Sequence, residues 1–339
     1  MELSKRSQSV QPDQEIVVAI CTYNNAHLLE RTLATIERQQ VNPSIRWSVL
    51  VIDNNSTDET PAVVQKYVRY GRISPLRSLH EPCQGLAYAR RRAVCETASE
   101  LIAFVDDDCL LSPDWVQQAV TFFREHPKAG AAGSRVQLLW EVPPDSVVLQ
   151  FKNSLACQDR GDLLLQMPST GDTYLVGAGL VLRRSALLAS GWLDKITLVG
   201  RKGKQLTSGE DVEIVLRIRN AGYELWYNPA MQLQHYIPQR RMSVDYLCRL
   251  QRGIGQTRPI ISALANRRTP TLIVRLSFLR SSASCLARMI LSIAYKNVLQ
   301  GRPVSPERKV YLYSYLGFFE GSVQFIFQYY RISRINFRE

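Results

Sequence analysis

Residues 15–21 read EIVVAIC, and the run ends at TYNN (22–25). A short, β-branched, apolar stretch closed by polar turn residues is the signature of a strand buried on both faces. Two later stretches repeat it: WSVLVID (47–53) and ELIAFVDDD (100–108). Between them the pattern turns helical. AHLLERTLATIERQQ (26–40) spaces Leu28, Leu29, Leu33 and Ile36 for one helix face. GLAYARRRAVCETA (85–98) reads as another helix, and SPDWVQQAVTFFREH (112–126) as a third, with Ser112 as N-cap and Pro113 at N1. After the second strand, Ser56 or Thr57 can cap the next helix. Alternating strands and helices predict an α/β fold with a mainly parallel mixed sheet and right-handed crossovers.

Further along, VGAGLVLRRSALLAS (176–190) reads as a strand running into a helix. TSGEDVEIVLRIRNAGYELWYNP (207–229) reads as a loop, a helix stopped at Gly222, and an extended piece. From about residue 240 the pattern becomes long helices, over 243–266, 270–299 and 306–330. Residues 1–14 read as a disordered lead-in.

The 339 residues, 45% hydrophobic and 21% charged, exclude collagen-like and wholly disordered chains. Seven cysteines without a Cys-x-x-Cys pair are neither a disulfide framework nor a zinc site. Reduced thiols and a polar N-terminus point to the cytosol. The net charge of +12 is unevenly spread. Residues 237–339 hold 17 Lys and Arg against 4 Asp and Glu, whereas the first 236 hold 25 against 26. A near-neutral front and a basic back call for different partners, anionic lipid or nucleic acid for the latter.

Ligands of parallel α/β sheets bind beyond the carboxyl ends of the strands. Three predicted strands end in polar sets there: Thr22-Tyr23-Asn24, Asp53-Asn54-Asn55 and Asp106-Asp107-Asp108. One such set only turns the chain; three together can hold a nucleotide, with Asp53 able to accept from a base imide N–H. Three adjacent carboxylates repel one another unless a cation is bound. Alternation lets Asp106 and Asp108 face one divalent ion, Mg²⁺ or Mn²⁺, while Asp107 looks elsewhere. Glu210 and Asp211 open a helix after RKGKQLTSG (201–209), which resembles a lid. His235 can return to the metal site or be structural. Arg90 can reach a pyrophosphate or hold the acids. Gly85 and the Gly177-Ala178-Gly179 run allow close approach of a ligand, or simply of strands.

In this order and spacing, VVAICTYNN, VIDNNSTDET, GLAYARRRAV, FVDDD, GAGLVLRRSAL and GEDVEIVLRIRNAGY resemble glycosyltransferase family 2, inverting enzymes with a GT-A fold. The resemblance runs from about 15 to 245. It implies a GT-A domain over 15–240 and a basic helical extension over 241–339. It implies that Thr22, Tyr23, Asn24, Asp53 and Asn55, with Gly85 and Arg90, hold the donor nucleotide. Asp106, Asp107 and Asp108 would form the DxD motif for nucleotide and metal, with His235 as a further ligand. Asp211 would be the general base, Glu210 would help orient the acceptor, and Gly177, Ala178 and Gly179 would border the sugar. Where the family often has Gly-x-Phe-Asp-Glu, this chain has Gly191-Trp192-Leu193-Asp194-Lys195, so acceptor contacts should differ there. The HYIPQRR segment and basic helices look similar to polysaccharide-biosynthesis members of the hormogonium type.

The expected donor is a nucleoside-diphosphate sugar, UDP-linked, and the expected acceptor a glycan or lipid-linked hydroxyl. Arg275, Arg280, Arg288 and Lys296 interrupt one apolar helix and Glu320 the other. Neither offers the ~20 charge-free residues of a spanning helix. Both read as interfacial or partly buried, implying peripheral attachment at the inner face of the plasma membrane or packing on the front domain. Competing readings are a sugar nucleotidyltransferase, for which TYNN lacks the Gly-rich phosphate loop, a nucleic-acid-binding protein using the basic tail, and an inactive transferase. No nucleic-acid partner is expected, because the tail is too apolar for a phosphate-binding arm.

Overall fold

The computed structural model describes residues 15–71, 73, 75–171, 174–203, 205–267, 271–299 and 303–327; the expected lead-in over 1–14 lies outside them. The chain runs β1 (Ile16–Thr22), α1 (Ala26–Glu37), β2 (Trp47–Asp53), α2 (Thr60–Tyr70), β3 (Leu76–His80), α3 (Leu86–Cys95), β4 (Leu101–Asp106), β5 (Cys109–Leu111) and α4 (Trp115–Glu125). It continues with β6 (Ala129–Trp140), α5 (Ser146–Gln150), β7 (Leu165–Gln166), β8 (Leu180–Arg183), α6 (Arg184–Ala189), α7 (Glu210–Asn220) and β9 (Glu224–Ile237). Three long helices follow: α8 (Val244–Ala265), α9 (Leu272–Ala294) and α10 (Pro306–Phe327).

The strands make one sheet in the order β3-β2-β1-β4-β8-β6-β9-β5, with β7 on β9. Its first half is parallel. Beyond β4 it is mixed: β8 runs antiparallel to β4 and β6, and β6 parallel to β9. β1 explains the layering. Ile16, Val18 and Ile20 pack toward Leu29, Leu33 and Ile36 of α1 and Trp115 of α4. Val17 and Ala19 pack the other way, toward Ala89 and Ala93 of α3 and Ile214 and Ile218 of α7. Successive strand residues point to opposite faces, so an unbroken apolar run needs helices on both sides.

Two helix starts differ from expectation. α2 begins at Thr60, not after Ser56 or Thr57. Those polar residues join two loops instead: the Ser56 hydroxyl accepts from Asn24 N (3.0 Å), and Thr57 N donates to Asn24 Oδ1 (2.7 Å). α4 begins at Trp115, and Ser112 Oγ donates to Asp114 Oδ1 (2.9 Å) rather than capping.

The basic helices pack onto the α/β layer. Leu247 and Leu250 of α8 join Ile237 and Val310 in one apolar cluster. Ile260 and Leu264 join Leu216 of α7 and Phe325 in another. Helices α8 and α10 meet backbone to backbone. A Cβ at Gly317 would fall on the Arg252 carbonyl, and one at Gly321 on that of Gln256. Glu320, which interrupts the apolar pattern of α10, accepts from Arg252 Nε (2.8 Å) and Gln256 Nε2 (3.0 Å). Helix α9 differs: with the turn that follows it, Leu272–Asn297 is long and apolar enough to cross a membrane, by length and composition alone, and is almost wholly uncovered. The expectation that it lacks ~20 charge-free residues still holds, since Arg275, Arg280, Arg288 and Lys296 all lie within it. Arg275 is buried against the Phe325 ring and donates to Ile326 O, so it does not interrupt the outer face.

Gly317→Val should therefore force α8 and α10 apart at a cost of about 1–3 kcal/mol. Urea unfolding reads this as a lower midpoint; an unchanged midpoint would mean that the helices do not touch.

Candidate active site

Strand register sets the floor of the site. Thr22 lies opposite Asp53, and Cys21 opposite Asp106, so β1, β2 and β4 end at one level. The neighbours β2 and β4 flank β1 on opposite sides, which places a switch point at its end. A cavity of about 840 Å³ opens there. Its floor is Cys21–Asn25, Asn54 and Asp106–Asp108; its walls are Arg90 of α3, Gly177-Ala178 and the start of α7; α8 forms its roof.

The three aspartates face three ways. Asp106 is partly exposed in the cavity, with Arg90 Nη2 3.6 Å from its Oδ1. Asp107 accepts from Thr22 Oγ1 (2.6 Å) and Asn25 Nδ2 (2.7 Å). Burial, then the neighbouring Asp108 charge, push its pKa up to about 7 against those bonds. Asp108 accepts from Arg241 Nη1 (2.9 Å) and lies 3.2 Å from His235 Nε2. Burial alone would raise its carboxyl, but His235 and Arg241 hold it below the usual carboxylate range.

Donor atoms of Asp106, Asp108 and Cys109 come within 4.8 Å of one another. Hard carboxylate oxygens suit a divalent cation such as Mg²⁺ or Mn²⁺. The buried Cys109 thiol does not, since burial raises its pKa well above normal. Asp106 and Asp108 therefore fit a metal. His235, expected as a further ligand, does not join that group. Its Nδ1 meets Leu155 O (2.9 Å) and its Nε2 leans on Asp108, so its place in this structure is beside the carboxylate.

The second acidic pair opens α7. Asp211 faces the cavity; its Oδ2 accepts from Gly177 N (2.7 Å) and its Oδ1 from Val212 N (2.8 Å). Glu210 turns inward. Its Oε1 accepts from Arg90 Nη1 (3.2 Å), whereas its buried Oε2 has no partner. Burial, then the Asp211 charge, push its pKa up to about 7. Arg90 is 2% exposed. Burial opposes its charge, but Glu210 and Asp106 outweigh burial and keep it protonated. The Cys21 thiol is pushed up to about 12 by burial, so it is no nucleophile.

Thr22, Tyr23, Asn24, Arg90, Gly177, Ala178, His235 and both acidic clusters line this cavity; Asp53, Asn55, Gly85 and Gly179 do not. Asp53 Oδ1 accepts from Ser56 N (2.9 Å), and the exposed Asn55 turns the chain at φ 69°. Gly85 and Gly179 are packing positions: a Cβ would meet Val199 at the first and Ser134 at the second, 2.5 Å away in each case. The expected lid is anchored where it starts, with Ala87 N bonded to Val199 O and Leu86 N to Arg201 O (both 3.1 Å).

Sequence reasoning gave Asn54 no role beyond its place in a polar strand end, and missed Asn25 and Arg241 as site residues. Buried Asn54 donates to Glu81 O (3.1 Å) and Cys83 O (2.8 Å) and accepts from Gly85 N (2.8 Å). Its place inside a polar strand end was the only signal. Arg241 had none beyond a basic run.

A family model described as Glycosyl transferase family 2 matches residues 17–189. The chain is 26% identical over 239 residues to glucosyl-dolichyl phosphate glucuronosyltransferase of Haloferax volcanii, covering 69% of this chain and 72% of that one. It is also 26% identical over 243 residues to succinoglycan biosynthesis protein ExoM of Rhizobium meliloti, covering 71% and 73%. Among solved structures it resembles the mannosyltransferase PcManGT from Pyrobaculum calidifontis in complex with GDP-Man and Mn²⁺. The TM-score is 0.56 at 19% identity, over 96% of this chain and 91% of that one. It also resembles S. aureus TarS, with a TM-score of 0.50 at 14% identity, over 72% and 39%. The fold is GT-A.

The buried Glu210 gives a signed pH effect. Folded, it holds its proton to about pH 7; unfolded, it releases it near 4.5. The folded chain binds more protons in that window, so stability falls as pH rises through it. Asp107 adds the same sign. Urea unfolding of Glu210→Gln between about pH 5 and 7 should show a flatter slope that keeps the Asp107 part. An unchanged slope would mean that Glu210 is ionised throughout.

Proposed function

Because the chain belongs to glycosyl transferase family 2, and is a glycosyltransferase using a nucleotide-sugar donor, we propose that it inverts the sugar's anomeric centre on transfer to a glycan or lipid-linked hydroxyl in polysaccharide biosynthesis. The observation that carries this is one cavity holding both Asp106/Asp108 and Asp211.

In this reading the strand ends of β1 and β2 bind the nucleoside, and Asp106 and Asp108 hold the metal. A divalent cation there would offset charge growing on the departing diphosphate. Asp211 takes the acceptor's proton. The Gly177 N–H and Val212 N–H each bond one of its oxygens, so the carboxylate is oriented before an acceptor arrives. Attack from the face opposite the leaving diphosphate, with no nucleophilic side chain, inverts C1. Glu210 acts through Arg90 rather than by touching the acceptor.

The extension belongs to this reading as a roof over the site and a membrane contact. The uncovered face of α9 carries Ile273, Leu276, Ile290 and Leu291. A largely apolar helix face that also carries the exposed Arg280 suits peripheral attachment to an anionic cytoplasmic leaflet.

Thermal-shift and calorimetric titration with UDP, GDP, CDP and dTDP, with and without Mn²⁺ or Mg²⁺, tests the donor site. Metal-dependent binding of one diphosphate, expected for UDP, supports it; binding of none, with the chain folded, would overturn it. Binding of GDP instead would change only the base. Asp211→Asn should keep that binding and lose turnover by about 10²–10⁴-fold. Wild-type transfer by the variant would remove Asp211 as base.

A further inference from the structure

Arginines line the cavity in two tiers. The inner tier is committed to acids: Arg90 to Asp106 and Glu210, and Arg241 to Asp108. Arg201 acts through its charge on Asp108 and Glu210. The outer tier is Arg240, Arg249 and Arg258, which line the same cavity at its exposed side. These three form no ion pair among the described residues. The acids that sense two of them have other partners. Glu141 accepts from Gln239 N, and Asp245 pairs with Lys309 Nζ (2.9 Å). Arg249 lies over the Tyr246 ring and Arg258 over the Phe318 ring (4.7 Å), which holds both guanidinium groups on the roof.

Three cations that form no ion pair among the described residues, opposite an acidic floor, call for an anionic ligand. One carboxylate does not balance three guanidinium groups. A diphosphate carries more charge, and its oxygens match the forked donors of arginine. A second groove of mixed lining, with Arg288, Glu307 and Arg308 among its residues, lies along α10. Ser314 of α10 lines the cavity, while Tyr311 and Tyr315 of the same helix line this groove of about 520 Å³ against α9. That groove includes Met289 and Ser292, next to the exposed Ile290 and Leu291.

We propose that Arg240, Arg249 and Arg258 bind the phosphoryl group joining the acceptor glycan to a lipid carrier, whose chain leaves along α9 and α10. This rests on the reading of the cavity floor as the donor site. The C-terminal helices then select the acceptor, and a free sugar of the same structure is a poor substrate.

The test is calorimetric titration of the full chain with farnesyl diphosphate, after the donor site has been filled with saturating nucleoside diphosphate and Mn²⁺. Farnesyl diphosphate should bind with nucleotide in place, and farnesol should not. The double variant Arg249→Gln/Arg258→Gln should weaken farnesyl diphosphate at least about tenfold without changing nucleotide affinity, and Arg249→Lys/Arg258→Lys should recover part of the loss. Undiminished binding by the glutamine variant overturns the assignment. So does displacement of farnesyl diphosphate by nucleotide, which places it in the donor site. Inorganic pyrophosphate binding as tightly as farnesyl diphosphate would mark a free-phosphate site, without a lipid, and overturn it too. Phosphatidylglycerol vesicles binding wild type but not the variant, with farnesyl diphosphate binding unchanged in both, would assign the arginines to membrane charge. Failure of every nucleotide to bind would take down the donor reading and this assignment with it.

Discussion

A guanidinium taken out of water has to be neutralised where it lies, and Arg90 is almost wholly buried. Its partners are Asp106 at the end of β4 and Glu210 at the start of α7. One cation thus joins the strand that presents the metal-binding carboxylates to the helix that presents Asp211. Glu210 could not sit so deep without it, since burial already pushes its pKa up to about 7. The pair also explains the glycines around it. A Cβ at Gly177 would come within 2.6 Å of Arg90 Nη2, and one at Gly200 within 2.5 Å of Glu210 Oε2. The chain approaches the ion pair with bare backbone, and at Gly177 that backbone N–H is the group that holds Asp211.

The same logic extends to Asp108. Its carboxylate is buried between β4 and β9, and Arg241, just past β9, neutralises it. The residues that open the basic extension therefore complete the electrostatics of the α/β layer. Helix α8 then covers the cavity, with α10 held against it by glycine contacts and the Arg252–Glu320 pair. A roof packed this closely gives the arginine-rich segment a role that charge counting alone could not assign.

Much of this was legible in one dimension, for identifiable reasons. EIVVAIC, WSVLVID and ELIAFVDDD are apolar on both faces, and only a covered parallel sheet accommodates such strands. Because parallel strands of one sheet end on one rim, their polar ends were readable as a common site. The motif resemblance then marked Asp211, a residue that a helix N-terminus alone would not have distinguished from a dipole contact. Helix starts were read less well. Ser56 and Thr57 look like caps, but their hydroxyls found a partner in the loop after β1, which local sequence does not show, and Ser112 turned its hydroxyl to the nearby Asp114 instead.

What the sequence by itself determined is the set of short-range patterns: strand and helix periods, the order of elements, the acidic strand end and the charge imbalance. Each follows from neighbouring residues sharing a face or a turn. Only the tertiary structure decided which polar groups face one another. It turned Asp107 onto Thr22 and Asn25, set His235 beside Asp108 rather than among the cluster's donors, and sent Asn55, Gly85 and Gly179 into turns and packing. It also brought Arg90 and Glu210 together across 120 residues and folded the basic helices over the cavity. Those outcomes depend on neutralising buried charge between segments far apart in the chain, and that energy is a property of the assembled core rather than of any local stretch.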